Sequence, residues 1–197
     1  MRKSLFFVAI MLLSLTASAQ IVEEGETRNG LKEGTWYGID TSRELIRSVV
    51  QYQNGKKNGL YLEIDETGAL VKKCEYVDDQ LNGTSYVWFR GGRLSSKHSY
   101  KNGLLDGEQI ECYEQGGDRE VSFYKNGLRD GLTSWFGQNG NVVMTIEYKE
   151  GQFDGKQQTF YKSGALKTET MYKKGKQTGK VKEFEDVKPE SEMNEQQ

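Results

Sequence analysis

Tyr124-Lys125-Asn126-Gly127-Leu128-Arg129-Asp130-Gly131 decides the fold, because it recurs. The same frame returns as Tyr100-Lys101-Asn102-Gly103 leading to Gly107, as Tyr148-Lys149-Glu150-Gly151 leading to Gly155, and as Tyr172-Lys173-Lys174-Gly175 leading to Gly179. The step is 24 residues. Tyr52, Tyr76, Tyr100, Tyr124, Tyr148 and Tyr172 keep it, and so do Gly59, Gly83, Gly107, Gly131, Gly155 and Gly179. Gly68, Gly92, Gly116, Gly140 and Gly164 form a third column with the same step. A fixed period of this size marks a repeat array before any local propensity is weighed.

Each unit holds two short runs rich in β-branched and aromatic residues, such as 132–136 (Leu-Thr-Ser-Trp-Phe) and 142–148 (Val-Val-Met-Thr-Ile-Glu-Tyr). Such residues suit a pleated, half-buried surface. Gln138-Asn139-Gly140 and Gly151-Gln152-Phe153-Asp154-Gly155 are turn material between them. Two strands and two turns fill a unit, leaving no room for the crossover that parallel strands need. The reading is therefore all-β: an elongated, curved antiparallel β-meander of about seven hairpin repeats in a single-layer open sheet. About 14 strands at about 4.8 Å spacing make it roughly 65 Å long. Asn29-Gly30 to Gly34 opens a degenerate first unit.

Alternation gives an expectation for the faces. Ile64, Trp88, Cys112, Phe136, Phe160 and Phe184 form an apolar column. Leu70, Leu94, Val142 and Leu166 share parity with the tyrosines, with Asp118 breaking the series. Phe89, Tyr113, Trp135 and Tyr161 have the opposite parity to the apolar column, and so are expected on the more exposed face.

Arg2 and Lys3, an apolar run over 5–15 and Ala17-Ser18-Ala19 read as a secretory leader over residues 1–19. The run is shorter than the roughly 20 apolar residues that span a bilayer. The repeat domain then covers 20–186, and the polar residues 187–197 are expected to form a disordered tail. Export to the periplasm, the outer membrane or the medium follows. Taking Arg2 and Lys3 from the 27 Lys+Arg leaves 25 against 29 acids, a net charge of −4. Signs are interspersed, without the concentrated positive field that nucleic acid requires, and charge gives no support to membrane contact.

The Tyr-x-Asn-Gly-x-x-x-Gly core, the apolar residue five positions on and the Gly-x-Leu turn resemble MORN repeats, more closely their bacterial variant. The resemblance covers about residues 25–186, departing at Asp79, which replaces the first glycine of its unit, and at Asp118. In repeat spacing the chain is similar to YwqK-family antitoxin-like proteins. What the resemblance implies is a hairpin ribbon used as a scaffold.

Chemistry finds little purchase. The one histidine, His98, shares a repeat column with Cys74, Ser122, Ile146 and Thr170, a packing position. Cys74 and Cys112 lie three strand steps apart, roughly 14 Å, whereas bridged Cα atoms sit within about 7 Å; two free thiols are expected. Asp65, Asp78 and Asp79 sit in turns, without the six to eight converging oxygens of calcium. No catalytic residue, metal site or cofactor is therefore expected. The function read from the sequence is a secreted or envelope-located, non-catalytic scaffold binding a protein partner, in antitoxin- or immunity-like fashion, through Phe89, Tyr113, Trp135 and Tyr161. The alternative is a glycan- or lipid-binding module using the same aromatics. The tyrosine and glycine columns are read as structural.

Overall fold

The computed structural model describes residues 21–186. The leader assigned to 1–19 and the tail assigned to 187–197 lie outside the described residues. Within them, 17 strand segments form one antiparallel sheet in which each pairs only with its neighbours along the chain. Three passes are interrupted, between Leu81 and Gly83, Arg129 and Gly131, and Gln177 and Lys182, so the segments make 14 crossings. No described pairing joins Ile21–Arg28 to the last segment, and the sheet is open.

The two rims are built from different turns. On one, two consecutive residues take positive φ, as at Asn126 (50°) and Gly127 (82°). This type I′ geometry matches the right-handed twist of the strands, which is why Asn-Gly recurs there. Asp78 (48°) and Asp79 (66°) hold the same turn without a glycine. On the other rim a five-residue turn closes on itself. Tyr113 N–H donates to Gly117 O and Gly116 N–H to Tyr113 O, both at 2.9 Å, with Gly116 at φ 105°.

Those second turns carry a bulge. The register slips by one residue between Glu63 and Ile64, Val87 and Trp88, Trp135 and Phe136, and Thr159 and Phe160. An extra residue reverses the alternation beyond it. Ile64 therefore faces Leu70, and Phe160 faces Leu166, on the side of the sheet away from the tyrosines. This corrects the expectation that Leu70, Leu94, Val142 and Leu166 share the tyrosine face. The stacking of Trp88 on Tyr86, with centroids 5.9 Å apart, agrees, since Tyr86 pairs with Lys73 and Lys97 on that far side.

The buried residues lie on the tyrosine face instead. Val50, Cys74, Ser85, Gln109, Ser122, Thr133, Ile146 and Thr170 run across the sheet as one row. Only Val50, Cys74 and Ile146 of these are hydrophobic. The apolar mass comes from the row beside them. There Tyr76, Tyr100, Tyr124 and Tyr148 alternate with Leu81, Leu105, Arg129 and Phe153. Phe153 sits edge-on to Tyr148 at 5.0 Å and to Tyr172 at 5.3 Å, the favoured geometry of ring pairs.

Thr133 is fully buried and its hydroxyl has no hydrogen-bond partner. An unpaired buried hydroxyl is a penalty that a methyl of the same shape removes. Thr133→Val is expected to raise stability by about 1 kcal/mol, read as a higher urea midpoint at unchanged slope.

Neighbouring units are also tied through the backbone. Asn126 N–H donates to Asp106 Oδ2 (3.0 Å) and Gly127 N–H to Leu105 O (2.8 Å). Asp130 and Asp154 receive Glu150 N–H and Lys174 N–H in the same way. Each Asp-Gly thus caps the next unit's turn. At Asp79 the bond runs the other way: its own carboxylate accepts Lys57 N–H at 2.8 Å.

Candidate functional site

Three surfaces could carry function, and the four aromatics singled out from sequence do not share one of them. All four are half-buried, and none lies among the exposed large hydrophobics. Trp135 belongs to the tyrosine face, because it pairs opposite Glu120 and Met144. Phe89, Tyr113 and Tyr161 open the five-residue turns at the bulged rim.

On the tyrosine face, Arg129 is a hub. Its Nη2 donates to Glu120 Oε1 at 2.6 Å and its Nε to the Tyr124 hydroxyl at 2.9 Å, while Trp135 Nε1 donates to Glu120 Oε2 at 2.9 Å. The guanidinium carbon stands 5.6, 5.8 and 5.4 Å from the ring centroids of Tyr124, Trp135 and Tyr148, within reach of cation–π attraction. Desolvation pulls the Arg129 pKa down, but the bond to Tyr124 and the charge of Glu120 outweigh it, and the group is raised. Glu111 lies across the strands from Glu120. It meets His98 Nε2 at 2.7 Å and Arg119 at 3.6 Å, and His98 stands edge-on to Tyr100. The polar groups of this cluster are turned on one another, which makes it a brace. Repetition gave only a partial sign of it: the column of Arg129 holds Lys57, Leu81, Leu105, Phe153 and Gln177 elsewhere, and of these only Lys57 also sets a cation over neighbouring tyrosine rings.

At the bulged rim the rings are latches. Tyr113 OH donates to Phe136 O (2.7 Å) and Tyr161 OH to Phe184 O (3.0 Å), each reaching 23 residues ahead. Phe89 has no hydroxyl, and in its unit Arg93 Nη1 donates to Gln115 O at 2.9 Å. The equivalent position is glycine at 137, where Asn141 Nδ2 donates to Lys162 O at 3.1 Å. Every unit from Phe89 on therefore has at least one side-chain tie to the next at this rim, supplied alternately from the column of Arg93 and Asn141 and from the column of Tyr113 and Tyr161.

The far side of the sheet carries the third surface. The pairs Ile64–Leu70, Trp88–Leu94, Phe136–Val142 and Phe160–Leu166 form an apolar stripe parallel to the bulged rim, interrupted at Cys112–Asp118. A groove of about 530 Å³ lies along it, lined by Leu132, Val142, Thr145 and Phe160. Leu132 is 44% exposed, and Phe123 and Met171 on the same face are 41% and 39%. No second layer packs on this face among the described residues.

The two thiols are free, as expected, and lie on opposite faces: Cys74 is buried in the tyrosine-face row and Cys112 pairs with Asp118 on the far side. Burial raises the pKa of both. Asp65 caps its own turn through Thr67 Oγ1 (2.6 Å), Thr67 N–H and Ala69 N–H. Among the described residues no group of three or more His, Cys, Asp or Glu side chains could hold a metal ion.

Several carboxylates titrate below their ordinary range. The Ser42 hydroxyl holds Asp40 down, the Thr67 hydroxyl Asp65, Lys173 Asp154, and Lys182 Glu169. A depressed folded-state value means stability that is present above the unfolded-state pKa and is lost as pH falls through the folded one. The urea midpoint is expected to hold between neutrality and about pH 5 and to fall below that.

Residues 129–150 and 153–174 match the family model described as MORN repeat variant. No curated protein matches the chain. The solved structure titled "Crystal Structure of TarM" is similar over 64% of this chain, at 10% identity and a TM-score of 0.28. This chain spans only 19% of that one. A likeness of that size speaks to neither fold nor activity.

Proposed function

The chain is a MORN-repeat protein, and on that premise we propose that it is a non-catalytic scaffold holding a partner protein along its sheet. The observation that carries this reading is the apolar far face, where no second layer of described residues covers the stripe and its groove and where Leu132, Phe123 and Met171 are exposed in a row nearer the type I′ rim. Apolar area left open on a rigid surface is what a partner buries on docking. A repeat array suits an elongated partner, since each unit adds its contact to the next. The docking residues shift accordingly: Tyr113, Trp135 and Tyr161 support the sheet, while Leu132 and its neighbours meet the partner. Export by the leader at 1–19 places the encounter in the periplasm, at the outer membrane or outside the cell. There the scaffold acts in antitoxin- or immunity-like fashion on a partner of its own compartment.

The test is affinity capture from a cell-envelope fraction with the parent chain and with Leu132→Lys. Leu132 pairs opposite Glu147, so the new cation meets a carboxylate and folding changes by no more than about 0.5 kcal/mol. A partner retained by the parent and lost by the variant supports the reading. Capture that does not depend on Leu132, or binding of liposomes or glycans in its place, overturns it.

A further inference from the structure

We infer that copies of this chain associate head to tail, the last strand of one adding to the first strand of the next in the register of the repeat itself. The inference goes beyond docking on the far face and rests on the two edges of the sheet that the described residues form. Inside each unit a first strand, ending at the bulged rim, pairs with a second strand that runs into the type I′ turn. The last complete example sets Gly155 opposite Tyr172, Lys156 opposite Met171, Gln158 opposite Glu169 and Phe160 opposite Leu166.

The described sheet opens on a second strand. Ile21–Arg28 runs into Asn29-Gly30, and Thr27 pairs with Lys32 as Tyr148 pairs with Phe153. It closes on a first strand, where Lys182 and Glu183 pair with Glu169 and Thr168. One edge therefore offers the half-unit that the other lacks. Strands with unpaired backbone groups are templates for addition unless something blocks them.

Transposing the internal register to the two edges sets Gly179 opposite Thr27, Lys180 opposite Glu26, Lys182 opposite Glu24 and Phe184 opposite Ile21. The charged side chains agree with that register. Two lysines meet two glutamates on the far face, Lys182 reaching Glu24 from beside Glu169, which it already holds at 3.3 Å. Ile21 pairs with Asp40 on the tyrosine face, so its side chain does not meet that of Phe184, which lies on the far face. Val181 and Phe184 are exposed by 47% and 40%, and this register covers both. One like-charged pair remains, Glu183 opposite Glu23, with Lys32 already on Glu23. The contact is heterologous, so each added copy presents a new free edge, and the products are a ladder of sizes rather than one closed dimer.

Sedimentation velocity on the full chain over a concentration series tests this. A ladder of masses is expected, collapsing toward monomer at about 0.5 M salt, where the screening length is about 4 Å. Glu24→Lys with Glu26→Lys, and separately Lys180→Glu with Lys182→Glu, should each weaken self-association by about tenfold or more, with melting curves confirming that both variants fold. Mixed in equal amounts the two variants regain the ladder, because every contact in the mixture again joins opposite charges. A chain that stays monomeric throughout, a single dimer that ignores both reversals, or a mixture that fails to recover would overturn the inference.

Discussion

Gly155→Ala is expected to destabilise the sheet by about 3 kcal/mol, whereas Gly179→Ala, in the same repeat column, leaves it unchanged. Gly155 holds φ 127°, a backbone conformation that L side chains rarely adopt. A methyl group there also runs into Glu147, with Cβ and Cδ both at 2.8 Å and Oε2 nearer still. Glu147 cannot simply swing aside, because the collision reaches back to its Cβ and its carboxylate accepts Lys156 N–H. Gly179 has no positive φ and nothing within 4 Å of an added Cβ. Equilibrium unfolding in urea separates the two. If both substitutions act alike, the column matters through something other than backbone geometry. In an array stabilised by neighbour contacts the damage at Gly155 should also broaden the transition, as the units on either side come apart.

The contrast shows what sequence could and could not disclose. Strand number, turn positions and the open meander were legible because glycine spacing reports backbone geometry, and that geometry repeats whatever side chains surround it. Face assignment was not. It follows from period-two alternation, and a one-residue bulge beside Phe136 or Phe160 undoes it without altering the 24-residue count. The ties between units were hidden for another reason. Asp106 and Asp130 are visible as Asp-Gly, but their acceptor role depends on a turn 20 residues on. The bulged-rim latch alternates between two columns, Arg93 and Asn141 in one and Tyr113 and Tyr161 in the other, so no single column carries its signature in every unit. Tyr113 and Tyr161 look like binding residues because they are aromatic and lie near a turn, yet their hydroxyls are taken up by backbone carbonyls. Gly179 keeps the step of its column without the conformation: it lies between the paired segments Lys176–Gln177 and Lys182–Glu183, whereas Gly83 and Gly131 begin a strand segment and hold positive φ.

Arg129→Leu is the second large effect, expected to lower stability by about 2 kcal/mol. The substitution is sterically mild, because Leu81 and Leu105 fill the same column in the two preceding units. What it removes is electrostatic: the 2.6 Å bond to Glu120, the bond to Tyr124 and the cation among three rings. Arg129 and Glu120 have only 26% and 18% of their side-chain surface exposed, so the loss exceeds that of a surface pair but stays short of a fully buried one. Much of it is the penalty of leaving Glu120 half-buried beside Glu111 with no cation. Adding Glu120→Met, the residue that the repeat places at Met144, removes that stranded charge and should recover about 1 kcal/mol or more. A double-mutant cycle in urea therefore distinguishes two accounts of the hub. A double variant more stable than Arg129→Leu alone means the pair chiefly neutralises charges that the fold has drawn in. A double variant as unstable as the sum of both single losses means the ring cluster itself depends on the guanidinium, and the ladder of tyrosines and inserted residues should then loosen on both sides of Arg129.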